Sequence, residues 1–226
     1  MINTKQFLFK SLKDYILGIL AGICISIGGT AFLASSNKAV GALFFTVGLF
    51  IILTFKFNLF TGKVCYAFDN KPPYLISLIL IWLGNFTGAF LTGSLLRATR
   101  LVDLQAKCEV VANTKLNDNL LSIFILAILC NILIYVAVHG FNNFEQPIIK
   151  VLALFFGVSV FVLCGFEHCV ANMFYFSFAG VWSWQTFFYL VVMTEGNIVG
   201  GLFIPLISKL VNLLNKKETQ IADKNQ

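Results

Sequence analysis

The sequence predicts an all-α polytopic membrane protein: six transmembrane helices, the second and fifth broken, related as an inverted repeat of three. Three observations carry this reading. Of 226 residues, 58% are apolar and 12% charged, with a mean hydropathy of +0.87, whereas a soluble domain carries roughly 25% Asp, Glu, Lys and Arg. Six apolar runs each approach the ~20 residues that a spanning helix needs. The motif Gly84-Asn85-Phe86-Thr87-Gly88-Ala89 also recurs as Gly196-Asn197-Ile198-Val199-Gly200-Gly201, with the asparagines 112 residues apart. So little charge cannot coat a water-facing surface, which excludes a soluble enzyme, a disordered chain and a nucleic-acid-binding domain. The net charge of +6 comes from basic residues at the chain ends and between the apolar runs, where they mark topology. Residues 1–226 are read as a single membrane domain.

The first span, 15–34, follows a polar start and carries Gly18, Gly22, Gly28 and Gly29, small residues that let helices approach closely. It is too long for a signal-peptide core, and Phe32 would occupy the small-residue position before a cleavage after Ala34. The second, 39–69, is interrupted at Phe60-Thr61-Gly62. The third, 74–96, holds Gly84, Gly88 and Gly93, and the fourth is 119–138. Cys169–Trp182 is too short to cross alone, so it joins the fifth span, 147–182, beyond an interruption near Gly165–His168. The sixth is 186–208, and a polar tail from about 216 to 226 is expected to be disordered. Non-helical backbone at membrane depth is tolerated only inside protein or beside a polar cavity, so two breaks imply a pathway. A three-segment unit with a broken middle member, repeated once, is the pattern of a duplicated transporter, and an odd segment number inverts the second copy.

Basic residues set the orientation. With the termini inside, the inner face collects Lys5, Lys10, Lys13, Lys71, Lys150, Lys209, Lys216, Lys217 and Lys224, against Lys38, Arg97, Arg100, Lys107 and Lys115 outside. This excess predicts cytoplasmic termini and a multi-pass protein of the cell (inner) membrane.

Ionisable groups inside a bilayer are expensive and point to function. Within the spans they are Lys56, Lys63, Lys150, Glu167, His168 and Glu195; Lys150, near a helix end, can snorkel to the interface. His168 lies at the second break within Gly165-Phe166-Glu167-His168-Cys169-Val170-Ala171-Asn172-Met173. Glu167 is expected to support the break, accepting from freed backbone amides or pairing with a lysine such as Lys56. Asn85 and Asn197 are expected to bond across helices. The six cysteines form no CxxC pair, so neither a disulfide framework nor a zinc site is signalled. No HExxH, paired catalytic Asp or Gly-x-Ser-x-Gly is present, which argues against an enzyme, a metal site or a cofactor.

Over about residues 10 to 210 the chain resembles the formate/nitrite transporter family. The matching motifs run in order: Ser11-Leu12-Lys13 with Ala21-Gly22, Asn58-Leu59-Phe60-Thr61-Gly62, Gly84-Asn85, Ala112-Asn113-Thr114-Lys115 and Leu129-Cys130-Asn131. Gly165-Phe166-Glu167-His168 with Ala171-Asn172-Met173 and Gly196-Asn197-Ile198-Val199-Gly200-Gly201 complete the set. Gly28-Gly29-Thr30 and Phe60-Thr61-Gly62-Lys63-Val64 look most like the hydrosulfide-channel branch. The resemblance implies an aquaporin-like protomer, a homo-pentamer, and a channel for small monovalent anions of weak acids such as hydrosulfide, formate or nitrite. It implies His168 at the pore midplane, hydrogen-bonded through Thr61 and near Asn172. It further implies a cytoplasmic-side constriction of Phe45 and Leu49, an outer one of Phe161, and vestibule lysines Lys13 and Lys115. Glu195, ahead of Gly196-Asn197, departs from the family's usual apolar or hydroxyl residue. The alternatives are a neutral small-solute pore of the aquaporin kind, whose Asn-Pro-Ala signatures are absent, and an intramembrane enzyme.

Overall fold

The computed structural model describes residues 4–224. The helices are α1 (Thr4–Ala34), α2 (Lys38–Thr54), α3 (Phe60–Val64), α4 (Tyr74–Leu96), α5 (Val102–Leu116), α6 (Leu120–Asn143), α7 (Pro147–Cys164), α8 (Cys169–Ala179) and α9 (Trp184–Lys224), with a 3₁₀ turn at Ala67–Asp69. Among the described residues, five helices are long and apolar enough to cross a membrane, within α1, α4, α6, α7 and α9; α2, with 17 residues, and α8, with 11, are shorter apolar helices. Two helices fall within each of the predicted second and fifth segments. The helices start where the sequence supplies caps. Asn37 Oδ1 accepts the Ala39 and Val40 N–H groups at 2.9 and 3.1 Å ahead of α2, Asn119 caps α6, and Pro147 opens α7.

α1 packs along α4 and α2, and α6 along α9 and α7. The glycines set how closely these pairs approach. A Cβ on Gly88 would overlap the Ile19 carbonyl oxygen, and one on Gly200 would overlap that of Ile128. α8 is innermost, with all of its residues buried. Leu, Ile, Phe and Val side chains such as Ile79, Phe90, Leu91 and Phe203 are exposed on the outer faces, as befits helices solvated by lipid.

Two elements differ from the sequence expectation. The 97–118 connection holds a helix, α5, whose Cys108 and Ala112 are buried against α8; Cys108 Sγ donates to the Tyr175 carbonyl at 3.2 Å. Burial pushes the Cys108 thiol up to about 12, so it packs as an inert apolar group. The tail expected to be disordered from about 216 continues α9 through Lys224. Lys209 Nζ ties that helix to the 3₁₀ turn, 2.5 Å from Asp69 Oδ1 and 3.2 Å from the Phe68 carbonyl.

Candidate functional site

α2 and α7 each end in a fold-back that returns the chain inward to a shorter helix, α3 or α8. Each fold-back contains one residue in the left-handed region, four positions before the short helix: Lys56 (φ 57°) and Gly165 (φ 75°). The Asn58 N–H donates to the Leu17 carbonyl of α1 at 3.2 Å, and the Glu167 N–H to the Leu126 carbonyl of α6 at 3.4 Å.

Two buried asparagines clamp these turns in the same way. Asn85 Oδ1 accepts the Phe60 N–H at 2.8 Å while Nδ2 donates to the Gly18 and Asn58 carbonyls at 2.8 and 2.9 Å. Asn197 Oδ1 accepts the Cys169 N–H at 2.9 Å while Nδ2 donates to the Ala127 and Glu167 carbonyls, both at 2.8 Å. Each asparagine therefore satisfies the first orphan amide of a short helix and one carbonyl of the fold-back, and ties both to a carbonyl of the neighbouring long helix, Gly18 of α1 or Ala127 of α6. Asn131 adds a cross-brace, its Nδ2 donating to the Thr61 and Asn197 carbonyls at 3.1 and 2.7 Å.

Where the short helices meet, His168 Nε2 lies 2.9 Å from Thr61 Oγ1. His168 is also the N-cap of α8, its Nδ1 accepting the Ala171 N–H at 3.0 Å. That bond assigns the tautomer: Nδ1 must carry a lone pair, so the ring is neutral with its proton on Nε2, donated to Thr61. The Thr61 hydroxyl proton is then free to point elsewhere. His168 and Thr61 are 2% and 0% exposed. Phe161 stacks on the His168 ring with centroids 5.6 Å apart, and Phe45 meets Phe161 edge-on at 5.8 Å.

Glu167, beside the histidine, accepts Lys115 Nζ at 2.7 Å and Asn172 Nδ2 at 2.6 Å through Oε2. The Lys115 and Glu167 side chains are 11% and 4% exposed. Asn172 Nδ2 also meets Met193 Sδ at 3.0 Å, and its buried Oδ1 has no hydrogen-bond partner among the described residues.

Two cavities approach the Thr61–His168 pair from opposite ends of the bundle. One, of about 260 Å³, is lined by Phe45, Phe161, His168, Asn172, Lys115 and Glu167, with Phe32, Lys38 and Asp118 towards its mouth. The other, of about 490 Å³, is lined by Leu49, Ile52, Leu59 and Gly62, with Lys56, Lys63, Tyr66 and Tyr74 further out. It lies on the side of the α2–α3 and α6–α7 connections, where Lys56 and Asn142 meet it.

These positions differ from the sequence expectation in three respects. Phe45 touches Phe161 and lines the same cavity instead of standing with Leu49 across the histidine. Glu167 pairs with Lys115, not Lys56, because α5 folds back over α8. Lys13 is exposed on α1 and lines neither cavity, whereas Lys56 and Lys63 line the second. The sequence marks both as ionisable groups within a span, but their spacing does not show that they face a common cavity.

Residues 3–210 match the sequence model of the family described as "Formate/nitrite transporter". A probable formate transporter of Methanothermobacter thermautotrophicus is 31% identical, with 84% of each chain covered. The formate channel BtFdhC of Bacillus thuringiensis is 30% identical over 82% of this chain and 81% of its own. Among solved structures, a pentameric formate channel with formate bound superposes with a TM-score of 0.75 at 25% identity, covering 90% of this chain and 98% of that one. A match across nearly the whole length, on a fold shared with solved channels, makes this membrane chain a member of the formate/nitrite transporter family.

Proposed function

We propose that the chain is a channel for small monovalent anions of weak acids, formate, nitrite or hydrosulfide in type, which cross between the two cavities past Thr61 and His168. The observation that carries this reading is the hydrogen bond joining those two side chains at 2.9 Å between the ends of α3 and α8. It is a polar contact bordered by Phe45, Phe161 and Leu49, all of them 2% exposed or less. An anion entering that barrier sheds water, and a bare charge in low dielectric costs several kcal/mol or more. The same desolvation favours the neutral form of a weak acid. A substrate that gains a proton as it enters presents an acidic O–H or S–H, and the Thr61 hydroxyl and His168 ring supply polar contacts between the apolar residues. Lys115 stands beside the first cavity with its ammonium paired to Glu167, whose carboxylate Asn172 also holds, so this mouth is polar but balanced in charge. Phe45 with Phe161 narrows that side and Leu49 the other, while Asn85 and Asn197 hold the two turns.

The relatives named as formate transporters and channels favour formate, and Phe60-Thr61-Gly62-Lys63-Val64 keeps hydrosulfide among the substrates. The pentameric solved relative supports a homo-pentamer, each protomer with its own path. The matched Asn85 and Asn197 clamps support two halves related as an inverted repeat, with six spans. The lysine count supports cytoplasmic termini, which puts the cavity of Lys56 and Lys63 on the inner face.

Uptake of formate and of sulfide into liposomes holding the purified protein, measured against pH, tests the reading. Wild-type vesicles conduct the weak acids and exclude glycerol, with uptake rising as pH falls. His168→Asn and His168→Phe lower the flux by about tenfold or more, the cost of roughly one lost buried hydrogen bond, and flatten the pH profile. Flux and profile left unchanged would remove His168 from the pathway, and conduction of glycerol alone would point to a neutral-solute pore.

A further inference from the structure

The two cavities differ in charge. Around the first, Lys38 and Lys115 are matched by Asp118 and Glu167, and the buried pair among them is already closed at 2.7 Å. Around the second stand Lys56 and Lys63 with no carboxylate in the lining. Neither ammonium has an ion-pair or hydrogen-bond partner among the described residues; Asp14 acts on Lys63 only at a distance. Lys63 is half-buried, two residues along α3 from Thr61, so an anion held there stands next to the central pair.

The backbone supplies an independent reason to single out Lys56. Its φ of 57° is the one positive value on a non-glycine residue among the described residues, and Gly165 fills the corresponding place in the other fold-back. The left-handed region is unfavourable for a residue with a Cβ and free for glycine. A strained residue kept where glycine would serve indicates that its side chain is used.

We infer that the cavity of Lys56 and Lys63 is an anion-binding subsite of its own, which takes the permeant anion in its charged form and also holds divalent oxyanions of the sulfate class. This rests on the anion-channel reading. The monovalent anion of a weak acid leaves the subsite by taking a proton from the water of the cavity and passing Leu49 as the neutral acid. Sulfate stays doubly charged and strongly hydrated, so it occupies the lysines without crossing and blocks from that face. The first cavity, balanced in charge, does not hold it.

Formate flux in phosphatidylcholine liposomes, titrated with sodium sulfate at constant ionic strength, tests this with sulfate on one side and then on the other. Vesicles are sorted for a single orientation by an affinity tag. Wild-type flux is inhibited from the face bearing Lys56 and Lys63 only. Lys56→Gly, whose backbone the turn accommodates as it does Gly165, weakens the block, and Lys56→Gly with Lys63→Gln raises the half-inhibiting concentration ~tenfold, as expected for losing charge-assisted contacts. Lys63→Arg, which keeps the charge, retains the block, and Lys38→Gln in the other cavity leaves it as in wild type. Wild-type liposomes that conduct no formate would overturn the channel reading. Liposomes that conduct but ignore sulfate, or whose block survives loss of both lysines, would overturn the subsite alone.

Discussion

His168 serves two hydrogen bonds that constrain each other. By capping α8 through Nδ1 it must keep that nitrogen unprotonated, which leaves Nε2–H as the donor to Thr61. A side chain that only packed, or only capped, would not need both edges of the ring. The sequence identified this residue because an ionisable group at a helix break is costly in a membrane. It could not reveal the cap, which depends on the turn that brings Ala171 beneath the ring. The asparagines were also legible in kind. Repetition of the Gly-Asn motif marked Asn85 and Asn197, though not that each holds one amide and one carbonyl of a fold-back against a carbonyl of the adjoining long helix. Replacing either by alanine leaves the buried amide and carbonyl of its fold-back without that partner, at about 1–3 kcal/mol for each group that finds no water. Asn85→Ala and Asn197→Ala therefore lower the unfolding temperature in detergent, measured by intrinsic fluorescence. Unfolding temperatures equal to wild type would show that water enters the turns and replaces the amide.

At the scale of elements, the apolar runs located the long helices because length and hydropathy suffice for that. They did not reveal α5, whose fully buried residues are only Cys108 and Ala112 in an otherwise mixed sequence. Missing α5 hid the partner of Glu167, since Lys115 reaches it only when the connection folds over the bundle. The pairing of Phe45 with Phe161 was hidden for a related reason: α2 and α7 cross beside each other, and composition does not distinguish among 25 phenylalanines. The glycine stripes were read correctly as contacts, and the structure supplies their partners. Gly88 lies against the Ile19 carbonyl with no room for a methyl group, and Gly22 lies likewise against the Asn85 carbonyl. Overpacking of this kind costs roughly 1–3 kcal/mol. Gly88→Val forces α1 from α4 and disturbs the Asn85 clamp, so it lowers both the unfolding temperature and formate flux. A stable but inactive variant would place the effect in the clamp, and a variant like wild type in both would mean that α1 and α4 can part without consequence.

At the scale of the whole molecule, Glu195 is the residue a lone protomer does not explain. It lies two positions before Asn197, and hence near the depth of the central turns, yet it is exposed on α9 and forms no ion pair among the described residues. A carboxylate facing hydrocarbon near the bilayer centre costs several kcal/mol or finds a polar partner. In the pentamer proposed above, a neighbouring protomer covers part of the outer surface, and that neighbour can supply hydroxyl or amide donors. The carboxylate then acts in assembly and not in conduction, since it lines neither cavity. Glu195→Lys inverts the charge at that contact and dissociates the oligomer in mild detergent, whereas Glu195→Gln, which keeps the hydrogen-bonding capacity, leaves it assembled; native mass spectrometry reads the difference. If Glu195→Lys stays pentameric, α9 faces lipid at this depth and the carboxylate reaches water by another route.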